Sequence, residues 1–228
     1  MNISLKNLKG NFKECSKNVI STFKENWILI FFLPILISFT YFLTFNDFWS
    51  NNTIEYQLNF RNLTLMQLIL SNFFNDGFSH YFFNFLGLII TSAIILSIAR
   101  SMKIDKKIKL IFKFLIITSI FVVPFINFIF RTILNINLGD VMYSLGTSSI
   151  LCTLLGLMIS ILIWTLCQSF LILKKFYIFI LIPVSLLIID FSFTIDPING
   201  SDAYAHIFGY LYGLIISVLY INKMKSNN

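Results

Sequence analysis

The sequence predicts an all-α polytopic membrane protein with six spans. Three observations point to it. The 228 residues are 57% hydrophobic and only 12% charged, which is too little polar surface for a compact soluble domain. Several apolar runs approach about 20 residues, the length that crosses a bilayer core. The lysines and arginines also sort onto one side of those runs. Backbone polar groups in hydrocarbon must be satisfied within their own segment, so the lipid-embedded spans are helices.

Residues 1–26 are polar and lysine-rich and read as a cytoplasmic N-terminal segment. The apolar stretch 27–45 follows. It is longer than a signal-peptide core and has no small-residue cleavage site, so it reads as a retained first span. The loop 46–78 holds aromatics and an amphipathic stretch, 63–74, that suits the membrane interface. That stretch is too short, and too polar at Asn72 and Asn75, to count as a span. Hydropathy places the remaining spans at 79–99, 110–130, 145–168, 176–193 and 203–221. Residues 27–222 thus form one six-span domain, with a short cytoplasmic tail at 223–228.

With the N-terminus inside, the inner segments hold all of the 17 basic residues except Arg61 and Arg131. Asp47, Glu55, Asp76, Asp140, Asp190, Asp196 and Asp202 fall on the other side. An even number of spans with both termini cytoplasmic sorts charge in this way. The net charge of +7 is therefore a topology signal. No interleaving of basic and aromatic residues points to nucleic acid, so the lipid bilayer is the expected environment. Cys15, Cys152 and Cys167 have no metal spacing, and no metal or other cofactor is implied.

Polar groups inside spans are costly and are more often functional than those in soluble cores. Three clusters open the second, fourth and sixth spans. In Ser79-His80-Tyr81-Phe82-Phe83-Asn84, His80 and Asn84 lie four apart on one helical face. An interfacial histidine with an asparagine joining two helices would be the plainer account of that pair. In Leu145-Gly146-Thr147-Ser148-Ser149, the serines and threonine would ordinarily be caps. Gly146 permits close approach, and the first N–H groups of a helix lack internal partners. A serine there sits beside free donors at the positive end of the helix dipole. In Ala205-His206-Ile207-Phe208-Gly209-Tyr210-Leu211-Tyr212-Gly213, Gly209 and Gly213 make a face for close helix packing, and His206 lies on nearly the same face. These three spans all run from outside to inside, so the clusters share one depth in the outer half of the membrane. A nucleophile, a base and amide or imidazole donors at one level are the parts needed for acyl transfer.

From about residue 66 to 215 the chain resembles the rhomboid family of intramembrane serine proteases. The resemblance rests on His80…Asn84, on Gly146-Thr147-Ser148, and on Ala205-His206…Gly209…Gly213, in order on the second, fourth and sixth spans. It implies a rhomboid-like bundle with a membrane-embedded first loop and a Ser148–His206 dyad without an aspartate. It further implies an oxyanion held by the Ser148 N–H, Asn84 and His80, with Gly146, Gly209 and Gly213 as structural support. Residues 194–202 would cap the site, and the fifth span would gate entry of transmembrane protein substrates. The implied activity is endopeptidase cleavage of single-span membrane proteins in or near the outer half of the bilayer, in a prokaryotic cell membrane.

Four positions depart from the family pattern. Ser149 stands where glycine is usual, Cys152 where an aromatic would stack on the histidine, and Asn75 where a further histidine is expected. Phe60-Arg61 is the nearest counterpart of a Trp-Arg pair in the first loop. Ser149 and Cys152 keep open an alternative, a catalytically weak or inactive rhomboid-like protein that binds membrane clients. A transporter is disfavoured: Gly156 and Pro124 are isolated, no internal repeat is visible, and no ionisable residue sits at mid-membrane.

Overall fold

The computed structural model describes residues 5–45, 58–59, 69, 71–73, 77–133, 143–144, 147–168, 185 and 203–226. Nearly all of them lie in five helices, α1 (Leu5–Phe45), α2 (Gly77–Ser101), α3 (Asp105–Ile133), α4 (Ser148–Gln168) and α5 (Ala203–Ser226). All five are long and apolar enough to cross a membrane, as expected of a multi-pass integral membrane protein. The expected spans at 27–45, 79–99, 110–130, 145–168 and 203–221 fall on these helices. The expected fifth span at 176–193, apart from Ser185, and the expected cap at 194–202 lie outside the described residues.

The surface is inverted relative to a soluble protein. Ile28, Phe32, Ile35, Phe39 and Phe42 form an exposed stripe on α1, and Leu110, Phe114, Ile117, Phe121 and Phe125 form one on α3. Both recur every three or four residues, the period of one helical face. The buried polar groups are mostly small hydroxyls and amides. Many hydroxyls donate to their own helix: Ser97 to the Ala93 carbonyl at 2.6 Å, Thr165 to Ile161 at 2.7 Å, and Thr153 to Ser149 at 2.9 Å. Lipid-facing apolar stripes around such an interior are what membrane helices require.

Helix α1 begins well before the predicted first span and bends at Asn26 (φ −125°, ψ 19°), next to the expected boundary at residue 27. The Asn26 side-chain amide donates to the Thr22 carbonyl at 3.0 Å, competing with the backbone for that acceptor. The polar N-terminal segment is thus helical from Leu5 and continues into the apolar stretch. Its Glu25 pairs with Arg100 of α2 at 2.8 Å, while Ser38 and Tyr81 hydrogen-bond at 2.8 Å near the other end. These contacts set α1 and α2 antiparallel.

A tight turn reverses the chain into α3. Ile104 N–H donates to the Ala99 carbonyl and Lys103 N–H to the Arg100 carbonyl, both at 2.9 Å. This is the bonding of a Schellman cap, with Lys103 at φ 57° in the left-handed position that usually takes glycine. At the far end of α3, Phe130 packs on Tyr204 and Phe208 of α5, with ring centroids 5.3 and 5.1 Å apart. Tyr212 donates to Thr118 at 2.7 Å, fixing α3 antiparallel to α5. Helices α2, α4 and α5 therefore run one way, and α1 and α3 the other.

Helix α4 touches α2, α3 and α5. Its contact with α5 is close because glycines stand on both sides of it. A Cβ added at Gly156 would meet the Tyr210 carbonyl oxygen at 2.5 Å, and one at Gly213 would strike the Thr153 carbonyl. Gly156 is therefore part of the α4–α5 seam.

Two short strands were not anticipated. β1 (Leu58–Asn59) pairs antiparallel with β2 (Tyr143–Ser144), with Leu58 opposite Ser144 and Asn59 opposite Tyr143. They join the first loop to the segment just before α4.

Candidate functional site

Thr147 caps α4. Its carbonyl accepts the N–H groups of Ile150 and Leu151, both at 3.1 Å, so Ser148 is the first helical residue. The Ser148 N–H belongs to the opening turn, whose donors have no intrahelical acceptor. The positive end of the α4 dipole acts over the same turn.

His206 comes from the first turn of α5. Its Nε2 lies 2.7 Å from the Ser148 Oγ, although 58 residues separate the two in sequence. Both are buried, at 8% and 7% exposure. Gly209 is responsible for this proximity. It stands one turn after His206, where a Cβ would meet the Ser149 carbonyl oxygen at 2.6 Å and the Cys152 Cβ at 2.9 Å. Without a side chain there, α5 can lie flush on α4 and its histidine reaches the serine.

Cys152 is fully buried beneath Gly209. Ser149 is held on its other side: its hydroxyl donates to Asn72 Oδ1 at 3.0 Å. The Asn72 amide nitrogen in turn donates to the Ile120 carbonyl at 3.0 Å. Ile120 lies four residues before Pro124, and proline has no N–H to offer that carbonyl. Asn72 supplies the missing donor. Together with Ser71 and Phe73 it is buried, and the Phe73 carbonyl accepts from Thr40 at 2.6 Å. The described part of the stretch expected at the interface, 69 and 71–73, thus packs against protein.

Asn84 is buried and His80 is half-buried, on consecutive turns of one α2 face. One turn beyond Asn84, Gly87 receives the Leu151 side chain, where a Cβ would stand 2.7 Å from Leu151 Cδ2. Leu151 itself is one turn after Ser148, so Gly87 joins α2 to α4 one turn beyond Ser148. Of the other predicted site residues, Gly209 and Gly213 lie in the α4–α5 seam, and Gly146 lies outside the described residues.

The charged side chains of the ion pairs are remote from this site. Glu25 with Arg100, and Asp105 with Lys109 at 3.6 Å, occupy the opposite end of the bundle. Among the described residues, the groups set around Ser148 are helix termini and neutral polar side chains. Chemically, the pair can move a proton: with the ring proton on Nδ1, Nε2 accepts the serine hydroxyl and turns Oγ into a nucleophile.

Sequence reading missed Asn72 and Gly156 as parts of this arrangement. Pro124 was the available signal for the first, since it orphans a carbonyl that something must satisfy. No protein-family model, curated protein or solved structure matches the chain.

Proposed function

We propose that the chain is an intramembrane serine endopeptidase of the rhomboid type, cleaving single-span membrane proteins through a Ser148–His206 dyad. The 2.7 Å hydrogen bond between His206 Nε2 and Ser148 Oγ carries the reading. A serine and a histidine buried together, on adjacent helix starts, have little structural reason to be there in an apolar bundle.

In the proposed reaction Ser148 Oγ attacks the scissile carbonyl carbon as His206 takes the hydroxyl proton. The resulting oxyanion is met by the Ser148 N–H, Asn84 and His80. Collapse of the tetrahedral species breaks the C–N bond, and His206 protonates the departing amine. Water, deprotonated by His206, then attacks the acyl-serine; the acid leaves and Ser148 recovers its proton. No cofactor enters the cycle.

The direction of the helices supports the six-span count. α4 and α5 run the same way, so Gln168 and Ala203 stand at opposite ends of the bundle. Residues 169–202 join those two ends, and they are long enough for the expected passage at 176–193. The charge distribution favours both termini in the cytoplasm, with the dyad in the outer half of the bilayer.

The test is cleavage of a generic single-span substrate in liposomes. The wild type should cleave it, whereas Ser148→Ala and His206→Ala should not. Cleavage that survives either substitution would sink the assignment.

A further inference from the structure

We infer that Asn72 is a positioning residue, holding the first turn of α4, and with it the Ser148 hydroxyl, in register with His206. This rests on the protease reading of Ser148 and goes beyond it, since the bonds of Asn72 run to Ser149 and to the Ile120 carbonyl of α3.

The carboxamide orientation follows from its partners. The Ile120 carbonyl at 3.0 Å and the Ile69 carbonyl at 3.4 Å can only accept, so the NH₂ must face them. The amide oxygen is then turned to α4, where the Ser149 hydroxyl donates to it at 3.0 Å. One side chain from the first loop therefore joins α3 to the residue directly after the nucleophile. Each end of the bridge answers a specific need. At α3 it fills the vacancy left by Pro124. At α4 it holds a first-turn hydroxyl that has no preceding helical turn to bond back to.

Both bonds are in the interior: Asn72 is 2% exposed and Ser149 5%. Water cannot readily replace either partner, so losing the bridge leaves Ser149 and the Ile120 carbonyl to find others. The first N–H groups of α4 have no preceding turn to bond to, so its start is held on one side only, and Ser148 is its first residue. A shift of that first turn stretches the 2.7 Å bond to His206, whose helix is also held to α3, by the Tyr212 bond to Thr118 and by Phe130 against Tyr204 and Phe208.

The experiment separates a positioning role from a merely structural one. Wild type, Ser148→Ala, Asn72→Leu, Ser149→Ala, Pro124→Ala and Asn72→Leu/Pro124→Ala are purified in detergent. Their thermal midpoints and their labelling by a fluorophosphonate probe are measured. Asn72→Leu and Ser149→Ala should each lower the maximal labelling rate by roughly ten- to hundredfold, with the half-saturating probe concentration unchanged. Pro124→Ala returns an N–H to the Ile120 carbonyl, so it should recover the midpoint lost in Asn72→Leu but not the labelling rate. Ser149→Ala removes a single hydroxyl and keeps the question answerable if Asn72→Leu fails to fold. Labelling at the wild-type rate in Ser149→Ala overturns the inference. So does recovery of the labelling rate together with the midpoint in the double variant, for Asn72 would then only plug α3. A wild type that takes no probe at Ser148 overturns the protease reading itself, and positioning with it.

Discussion

Gly213 of α5 lies against the Thr153 carbonyl of α4 with no room for a methyl group between them. Closeness here reaches beyond packing, because the same seam brings His206 to Ser148 one to two turns away.

Enlarging Gly213 should therefore damage structure and site together. Gly213→Ala is expected to cost about 1–3 kcal/mol of stability, the usual range for overpacking a tight core. Gly213→Leu should separate the helices altogether. Thermal midpoint and fluorophosphonate labelling should fall in parallel; a Gly213→Leu variant with both intact would show that the seam is not needed.

Ser148 and His206 should behave as one unit. Each alanine substitution is expected to lower proteolysis by several powers of ten, with the double variant falling no further. Single-turnover cleavage in liposomes measures this. Additive losses would mean that the two residues act in separate steps.

Asn84 should act at the transition state. Asn84→Ala is expected to lower kcat by about 10²–10³-fold, equivalent to about 2.7–4 kcal/mol, with KM little changed. A rise in KM at constant kcat would instead place Asn84 in substrate binding.

Lys103 should be the easiest place to gain stability. Its φ of 57° costs a side-chain-bearing residue about 1 kcal/mol that glycine avoids. Lys103→Gly should raise the thermal midpoint slightly, while Lys103→Val, branched at Cβ, should lower it. Equal midpoints for the two would show that the turn relaxes in solution.

How far the sequence carried depended on the kind of signal. Long apolar runs and charge asymmetry are summed over many residues, so five of the expected spans were legible and fall on helices. Ser148 and His206 were legible because a polar side chain inside an apolar run has to be explained. Helix direction did the rest by bringing two helix starts together. Asn72 was read only as a reason against a span, since its partners Ile120 and Ser149 are apolar or ordinary in composition and distant in sequence. Gly156 likewise acquires meaning only when Tyr210 arrives from another helix. The two-residue strands are too short to carry any period.

The back-bonded hydroxyls have a consequence for ion traffic. Ser97, Thr165 and Thr153 each commit their one proton to a carbonyl of the preceding turn. A chain of side chains that hands protons across a membrane needs each member to donate to the next, and donors turned back on their own helices break such a chain. Among the described residues, these three hydroxyls are closed to such a relay. The proposed hydrolytic site could thus sit at one end of the bundle without these hydroxyls linking it to the other.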